Sequence, residues 1–417
     1  MKRLALALFL GLAAFTPVRA DTTIHWFHSL DHDIELKLID DAIKEYEAAH
    51  PGITIETQRL DNEAFKAKLP TVLASDNPPD FFYSLGGGLL TEQAKAGVLR
   101  PVENLIPKQL LDDTGTAGVS AFSRDGHLYG IAQRVNKVGI WYNKTLFAKA
   151  GVDASTMGTW DGFLAGVQKL KDAGITPVAL GAKDKWPANF WWSYLVVRLA
   201  GEDAFEAAAR GEGDGFAGEP FVKAGELFQQ LVHLKPFEEG YEATGAETTA
   251  ALMGDGKVAM ELMGDWTYNF MKQVSASGKG IPDDELGFMS FPQIPGQKGD
   301  PTDTLGGING WAFTKNASDE AVKFVTWFSS AEVMQRFAAQ GLFAPIVKGG
   351  ADTLANPFQK QVAIDINNAH WHSLFFDQSL GPAVGAVTND IAYELATDSI
   401  TPEEAAKLVK EAVDDNH

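Results

Sequence analysis

Gly139-Ile140-Trp141-Tyr142-Asn143-Lys144-Thr145-Leu146-Phe147-Ala148-Lys149-Ala150-Gly151, followed by Thr159-Trp160-Asp161-Gly162-Phe163, is the stretch on which the fold turns. Its first residues are apolar and β-prone, and the pattern becomes helical from Asn143 to Ala150. Gly151 ends that helix, because glycine takes the left-handed conformation a helix C-terminus favours. Thr159 then offers an N-cap hydroxyl to a second helix over residues 160–173, with Gly174 as its natural stop. Residues 175–180 (ITPVAL) return as a strand. Strand, helix, helix and strand in succession mark an α/β unit that begins near Val138.

The same alternation runs toward the N-terminus. Residues 23–27 (TIHWF) predict a strand, and Leu36, Ile39, Ile43 and Tyr46 recur at helical spacing. His50-Pro51-Gly52 interrupts them, residues 53–57 alternate as a strand, and 63–74 read as a helix. A short strand at Phe81-Phe82-Tyr83 completes a first α/β unit. Toward the C-terminus, helical patterns occupy 189–210, 219–234 and 248–253, and residues 258–262 and 286–291 read as strands. Gly264-Asp265-Trp266 is a tight loop opening a helix over 268–274. Residues 306–313 are Gly-rich and then apolar, leading to an amphipathic helix over 319–328, and the tail is helical with Pro382 and Pro402 as punctuation. No internal repeat or low-complexity tract interrupts the chain.

The chain has 417 residues, 45% hydrophobic and 22% charged, a globular composition. Single cores stop growing at roughly 250–300 residues, so this length predicts two lobes with a cleft between them. Lys+Arg of 35 against Asp+Glu of 55 gives a net charge of −20, which repels nucleic acid backbones and anionic lipid. Cysteine is absent, removing disulfides, thiolate nucleophiles and Cys-ligated metals. Met1-Lys2-Arg3 precedes an apolar run over residues 4–15, and Val18 and Ala20 suit signal peptidase. That run is short of the about 20 apolar residues a membrane span needs. Residues 1–20 therefore read as a cleavable signal peptide, and without Cys no lipobox anchor is available. The expectation is a periplasmic protein.

Motifs for chemistry are missing. The sequence holds no Gly-x-Ser-x-Gly, His-Glu-x-x-His, Walker A or strand-linked Gly-x-Gly-x-x-Gly. Paired-carboxylate glycosidases need no local motif, and so many acids make counting carboxylates uninformative. His25, His28 and His32 gather near the first strand, but strand alternation turns His25 and His28 to opposite faces, poor geometry for a metal. His370 and His372 diverge likewise on a helix. The reading is no enzyme, no metal and no cofactor.

Tryptophan is more telling. Trp141 and Trp327 sit in apolar strand and helix patterns and read as core. Trp186, Trp266 and Trp311 instead stand beside Gly, Asp, Asn or Lys at the ends of elements. An indole there is well placed to offer a flat apolar face with hydrogen-bonding neighbours, which matches the apolar faces and polar rim of a sugar ring.

At these residues the chain resembles the extracellular solute-binding proteins of ABC transporters, in the carbohydrate-binding family that includes maltose-binding protein. The opening stretch carries the likeness, with support from Pro79-Asp80, Gly97-Val98-Leu99-Arg100-Pro101-Val102, Gly126-His127-Leu128-Tyr129-Gly130-Ile131 and Gly264-Asp265-Trp266. The resemblance implies an α/β, two-lobed type II periplasmic-binding-protein fold, each lobe a mixed sheet flanked by helices and joined by a hinge. It implies a first lobe of residues 21–132 plus 305–345 and a second of 133–304 plus 346–417. It places ligand contacts at His28 and Asp31, at Tyr83 and Gly87, along Trp186, Asn189 and Trp192, and at Trp266. The loop 307–311, with Gly307, Asn309 and Trp311, and the pair Asp377 and Gln378 complete the set. The expected function is capture of a mono- or oligosaccharide by hinge closure and delivery to a membrane permease, by a monomer. The alternatives are a receptor for another solute (a glycerol phosphodiester, a polyamine or a metal chelate) or an exported glycosidase or lectin. An anionic ligand would want arginine in the cleft, and Arg134 is the only obvious candidate.

Overall fold

The computed structural model describes residues 21–416, so the leader expected over residues 1–20 lies outside it. The strands are β1 (Thr22–His28), β2 (Ile53–Arg59), β3 (Phe81–Ser84), β4 (Ser123–Arg124), β5 (His127–Leu128), β6 (Gly130–Asn143), β7 (Val178–Ala179), β8 (Met260–Gly264), β9 (Leu286–Met289), β10 (Thr304–Phe313), β11 (Ala344–Pro345) and β12 (His372–Leu374). Their main order is β2-β1-β3-β10-β6-β8-β7, with β9 and β11 also on β6, and β12 on β10. β1 is parallel to β2 and β3, whereas β10 is antiparallel to β3 and to β6.

Two long strands belong to both halves of the molecule. β6 pairs with β10 through Lys137 and with β8 from Val138 onward. The buried apolar residues divide at the same place. Ile131 and Ala132 of β6 join a core around Trp26, Phe81, Phe324 and Phe328. Val138, Ile140 and Trp141 of the same strand join another around Trp160, Trp191, Tyr194 and Phe291. In β10 the change falls between Leu305 and Ile308. Between the cores both strands carry polar or very small residues: Gln133, Arg134, Asn136 and Lys137 on β6, Gly306 and Gly307 on β10. A Cβ on Gly306 would lie 1.8 Å from the Asn136 carbonyl oxygen, so this crossing of two backbones requires glycine.

Local structure follows the capping chemistry of the opening stretch. Asn143 caps Lys144–Ala150 by accepting from the Leu146 amide at 3.1 Å, and Gly151 closes the helix at φ 64°. Thr159 caps Trp160–Asp172, its hydroxyl accepting from Gly162 at 3.3 Å. Three expectations are corrected. The strand over 175–180 pairs only at Val178–Ala179, because Pro177 has no amide to give a ladder. The strand expected at 258–262 is displaced to Met260–Gly264. Residues 307–311 are not a loop but part of the fully buried strand β10, whose glycines serve close packing rather than turning.

Candidate functional site

A cleft of about 650 Å³ lies between the two cores, within the range of small-molecule pockets. Its first-lobe wall is polar. Asp31 comes from the loop after β1, Glu35 from the first turn of the helix Asp33–Ala49, Tyr83 from β3, Arg134 from β6 and Asn309 from β10. Arg134 forms a buried ion pair with Glu35, and its guanidinium stacks 3.7 Å from the Phe343 ring centroid and 5.8 Å from that of Tyr83. Asn309 Nδ2 donates to the Tyr83 hydroxyl at 2.9 Å. Glu35 Oε2 and Asn309 Oδ1 are buried and have no hydrogen-bond partner among the described residues. Buried acceptors left in this state call for a donor from a ligand or water. Burial raises the pKa of Asp31, with neighbouring His32 opposing it.

The second-lobe wall is aromatic. Trp186 and Phe190 stand one turn apart on the helix Trp186–Ala209, Trp266 follows β8, and Phe375 follows β12. Trp186 lies 5.3 Å from Phe190 and 6.4 Å from Trp266, and Phe375 lies 5.1 Å from Phe190 and 6.1 Å from Trp266. These spacings are those of mutually packed rings, which fix one another's orientation. Gly264 makes the arrangement possible: a Cβ there would sit 1.9 Å from the Trp266 ring. The Trp266 loop is tied to the hinge strand, since the Asp265 amide donates to the Lys137 carbonyl at 3.1 Å and the Lys137 amide to Asp265 Oδ1 at 3.0 Å. Burial pushes the Asp265 carboxyl up to about 6. Asp377 and Gln378, on the short helix Phe376–Ser379, complete this wall. Burial raises the Asp377 pKa, while Lys66 and the Asn389 amide, 3.3 Å away, pull it back.

Seven carboxylates line the cleft against three Lys or Arg side chains, a balance that disfavours an anionic ligand. Arg134, the cation expected to serve one, is already committed to Glu35. Among the described residues no group of His, Cys, Asp and Glu is arranged to hold a metal, and no helix is long and apolar enough to cross a membrane.

Of the residues expected at the site, Asp31, Tyr83, Trp186, Trp266, Asn309, Asp377 and Gln378 line the cleft. Six are placed elsewhere. His28 is 2% exposed and packs 5.2 Å from Trp26, because residues two apart share a strand face, and burial lowers its pKa to about 4. Gly87 and its neighbour Gly88 let the helix Gly87–Lys95 approach the second lobe: a Cβ on Gly88 would stand 2.5 Å from the Ser379 carbonyl. Asn189 donates to Thr388 and Asn389 at 3.1 and 2.9 Å, so it braces the Asn389 amide that contacts Asp377. Trp192 stands about 240° round the helix from Trp186 and is buried against Phe376. Gly307 leaves room for Phe375, whose ring a Cβ would meet at 2.8 Å. Trp311 is fully buried, packed edge-on to Trp26 at 4.8 Å. The β-bulge here lies on the partner strand: Asn309 pairs with Arg134 and Gly310 with Ala132, so Gln133 of β6 is the extra residue. Asn309 and Trp311 differ in depth, the first beside Arg134 at the cleft and the second beside Ile131 in the first core.

Glu35, Lys66, Phe190, Phe270 and Phe375 also line the cleft and were not anticipated. Phe190 was open to detection, since it follows Trp186 by four residues on one helical face. Phe375 has no such local signature, because it reaches the site from a distant part of the chain.

Two cores sharing two continuous strands, with a polar and aromatic cleft between them, define a hinged solute-binding protein. Residues 34–335 match the family described as bacterial extracellular solute-binding protein, and the chain belongs to that family. It is 27% identical over 385 residues to an uncharacterized ABC transporter extracellular-binding protein of Pyrococcus horikoshii, covering 90% of this chain and 84% of that one. Among solved structures, a chitin oligosaccharide binding protein matches with a TM-score of 0.83 at 26% identity, over 95% of this chain and 98% of the other. A structure from work on xylan utilization by Caldanaerobius polysaccharolyticus matches in fold with a TM-score of 0.87 at 22% identity, over 94% and 99% of the two chains.

Proposed function

We propose that this chain is the saccharide receptor of an ABC importer, acting in the periplasm as a monomer that binds its ligand without altering it. The observation that carries the reading is the opposition of the two cleft walls. The rings of Trp186, Trp266 and Phe375 face the acceptors of Glu35, Asn309 and Tyr83 across a single space. A sugar ring has an apolar face for the first and a hydroxyl rim for the second. The kinship with a chitin oligosaccharide binding protein supports it. Ligand held by both walls favours the closed arrangement of the lobes, since only differential affinity shifts such an equilibrium. The closed form is then what a membrane permease reads. Residues 1–20, with their basic start and apolar run, supply the export signal this location needs.

A second reading has one observation in its favour: the excess of cleft carboxylates suits a cation such as a polyamine. The same excess speaks against a glycerol phosphodiester. A thermal-shift screen over neutral mono- and oligosaccharides and polyamines separates them, because a ligand selective for the native state raises its melting temperature. The expected result is stabilisation by a neutral saccharide recovered unchanged. Stabilisation by polyamines alone, or conversion of the saccharide, would overturn the proposal.

A further inference from the structure

Lys66 crosses the cleft. Its helix, Asn62–Leu73, belongs to the first lobe and is started by Asp61, whose carboxylate accepts from the Ala64 amide at 2.9 Å. That start directs Lys66 at the opposite wall, where its ammonium lies 5.7 Å from the centroid of the Trp186 ring. An ammonium within about 6 Å of an indole face is attracted by the ring's negative quadrupole. Glu63 stands 3.4 Å away on the same helix, and Asp377, on the second lobe, feels the lysine's charge. Trp186 Nε1 is buried without a partner among the described residues. Of the other cleft cations, Arg134 pairs with Glu35, and Lys183 is exposed.

We propose that Lys66 is the first lobe's ligand-positioning residue at the Trp186 end of the cleft, and that it sorts ligands by charge. This rests on the saccharide reading above and adds the class of sugar. An uncharged ring stacked on Trp186 brings hydroxyl oxygens to an ammonium that can only donate, so lysine and ligand cooperate. A cationic ligand, whether an amino sugar or a polyamine, brings a second positive charge beside that ammonium and competes with it for the attraction of Trp186, Glu63 and Asp377. For that ligand Lys66 is a built-in competitor. Removing the charge therefore moves the two affinities in opposite directions, which a purely structural role would not do.

The test compares wild type with Lys66→Met, which keeps the aliphatic stem, and Lys66→Arg, which keeps the charge. Calorimetry measures binding of the neutral saccharide found by the screen and of its 2-amino-2-deoxy counterpart. Ligand-free melting temperatures confirm folding. The expected result for Lys66→Met is at least fivefold weaker binding of the neutral sugar with equal or tighter binding of the amino sugar, and for Lys66→Arg affinities near wild type. Neutral-sugar binding within twofold of wild type in Lys66→Met, or parallel loss of both ligands, overturns the inference while leaving the saccharide reading intact. Failure of wild type to bind any saccharide overturns both.

Discussion

Trp266 is half-buried beside the cleft, held by contacts with Trp186, Phe190 and Phe375, while Trp311 is enclosed among Trp26, Phe81 and Phe328. The same substitution at the two sites should therefore separate function from stability. Trp266→Ala removes a platform face and should weaken saccharide binding at least tenfold, about 1.4 kcal/mol or more, with little change in melting temperature. Trp311→Ala empties a packed core position and should cost roughly 3–5 kcal/mol of stability. Binding by the folded fraction should survive. Calorimetry and denaturant unfolding read the two outcomes, and unchanged affinity in Trp266→Ala would remove that ring from the site. Both indoles stand beside glycine and polar neighbours in sequence, which is why local composition alone gave them the same expected role.

At the scale of elements, the loop after β8 joins the hinge strand to the aromatic wall. Asp265 holds it to Lys137 through two hydrogen bonds, and Gly264 clears the space beneath the Trp266 ring. The backbone of Gly264 is not in the left-handed region, so alanine can adopt it. Gly264→Ala should thus act through the ring, displacing Trp266 and lowering saccharide affinity to the level of Trp266→Ala. A crystal structure of the variant with the ring unmoved, or calorimetry with affinity unchanged, would contradict this. The bulge between β6 and β10 is a second element-scale device, because its extra residue, Gln133 of β6, falls where the paired strands pass from the first core to the cleft.

For the whole molecule, the lobes also meet through Gln273. On the second lobe's helix Thr267–Val274, its side-chain nitrogen donates to the Asp31 carbonyl at 3.1 Å, and its oxygen accepts from the Asp33 amide at 3.2 Å. Both bonds break if the cleft opens. Exposed hydrogen bonds contribute at the low end of about 0.5–1.5 kcal/mol each, enough to shift a lobe equilibrium severalfold. Gln273→Ala should give a larger radius of gyration by solution scattering without ligand, and roughly three- to tenfold weaker saccharide binding. A radius and affinity equal to wild type would show that this bridge does not bias closure.

The alternation of strand and helix, the caps at Asn143 and Thr159, and the indoles of Trp186 and Trp266 were all determined by sequence, because each depends on neighbours within a turn or two of chain. So were Asp31, Tyr83, Asn309, Asp377 and Gln378, although only through resemblance. Only the tertiary structure decided which side chains share the cleft. Glu35, Arg134 and Asn309 meet there from three separate elements, and Phe375 joins Phe190 across a long stretch of chain. Burial is likewise a property of the assembled molecule: His28, Trp192 and Trp311 look polar-edged or helical in sequence, yet strand pairing and helix rotation turn them into the cores. Period and capping act over a few residues, whereas a site between two lobes is set by contacts between residues far apart along the chain.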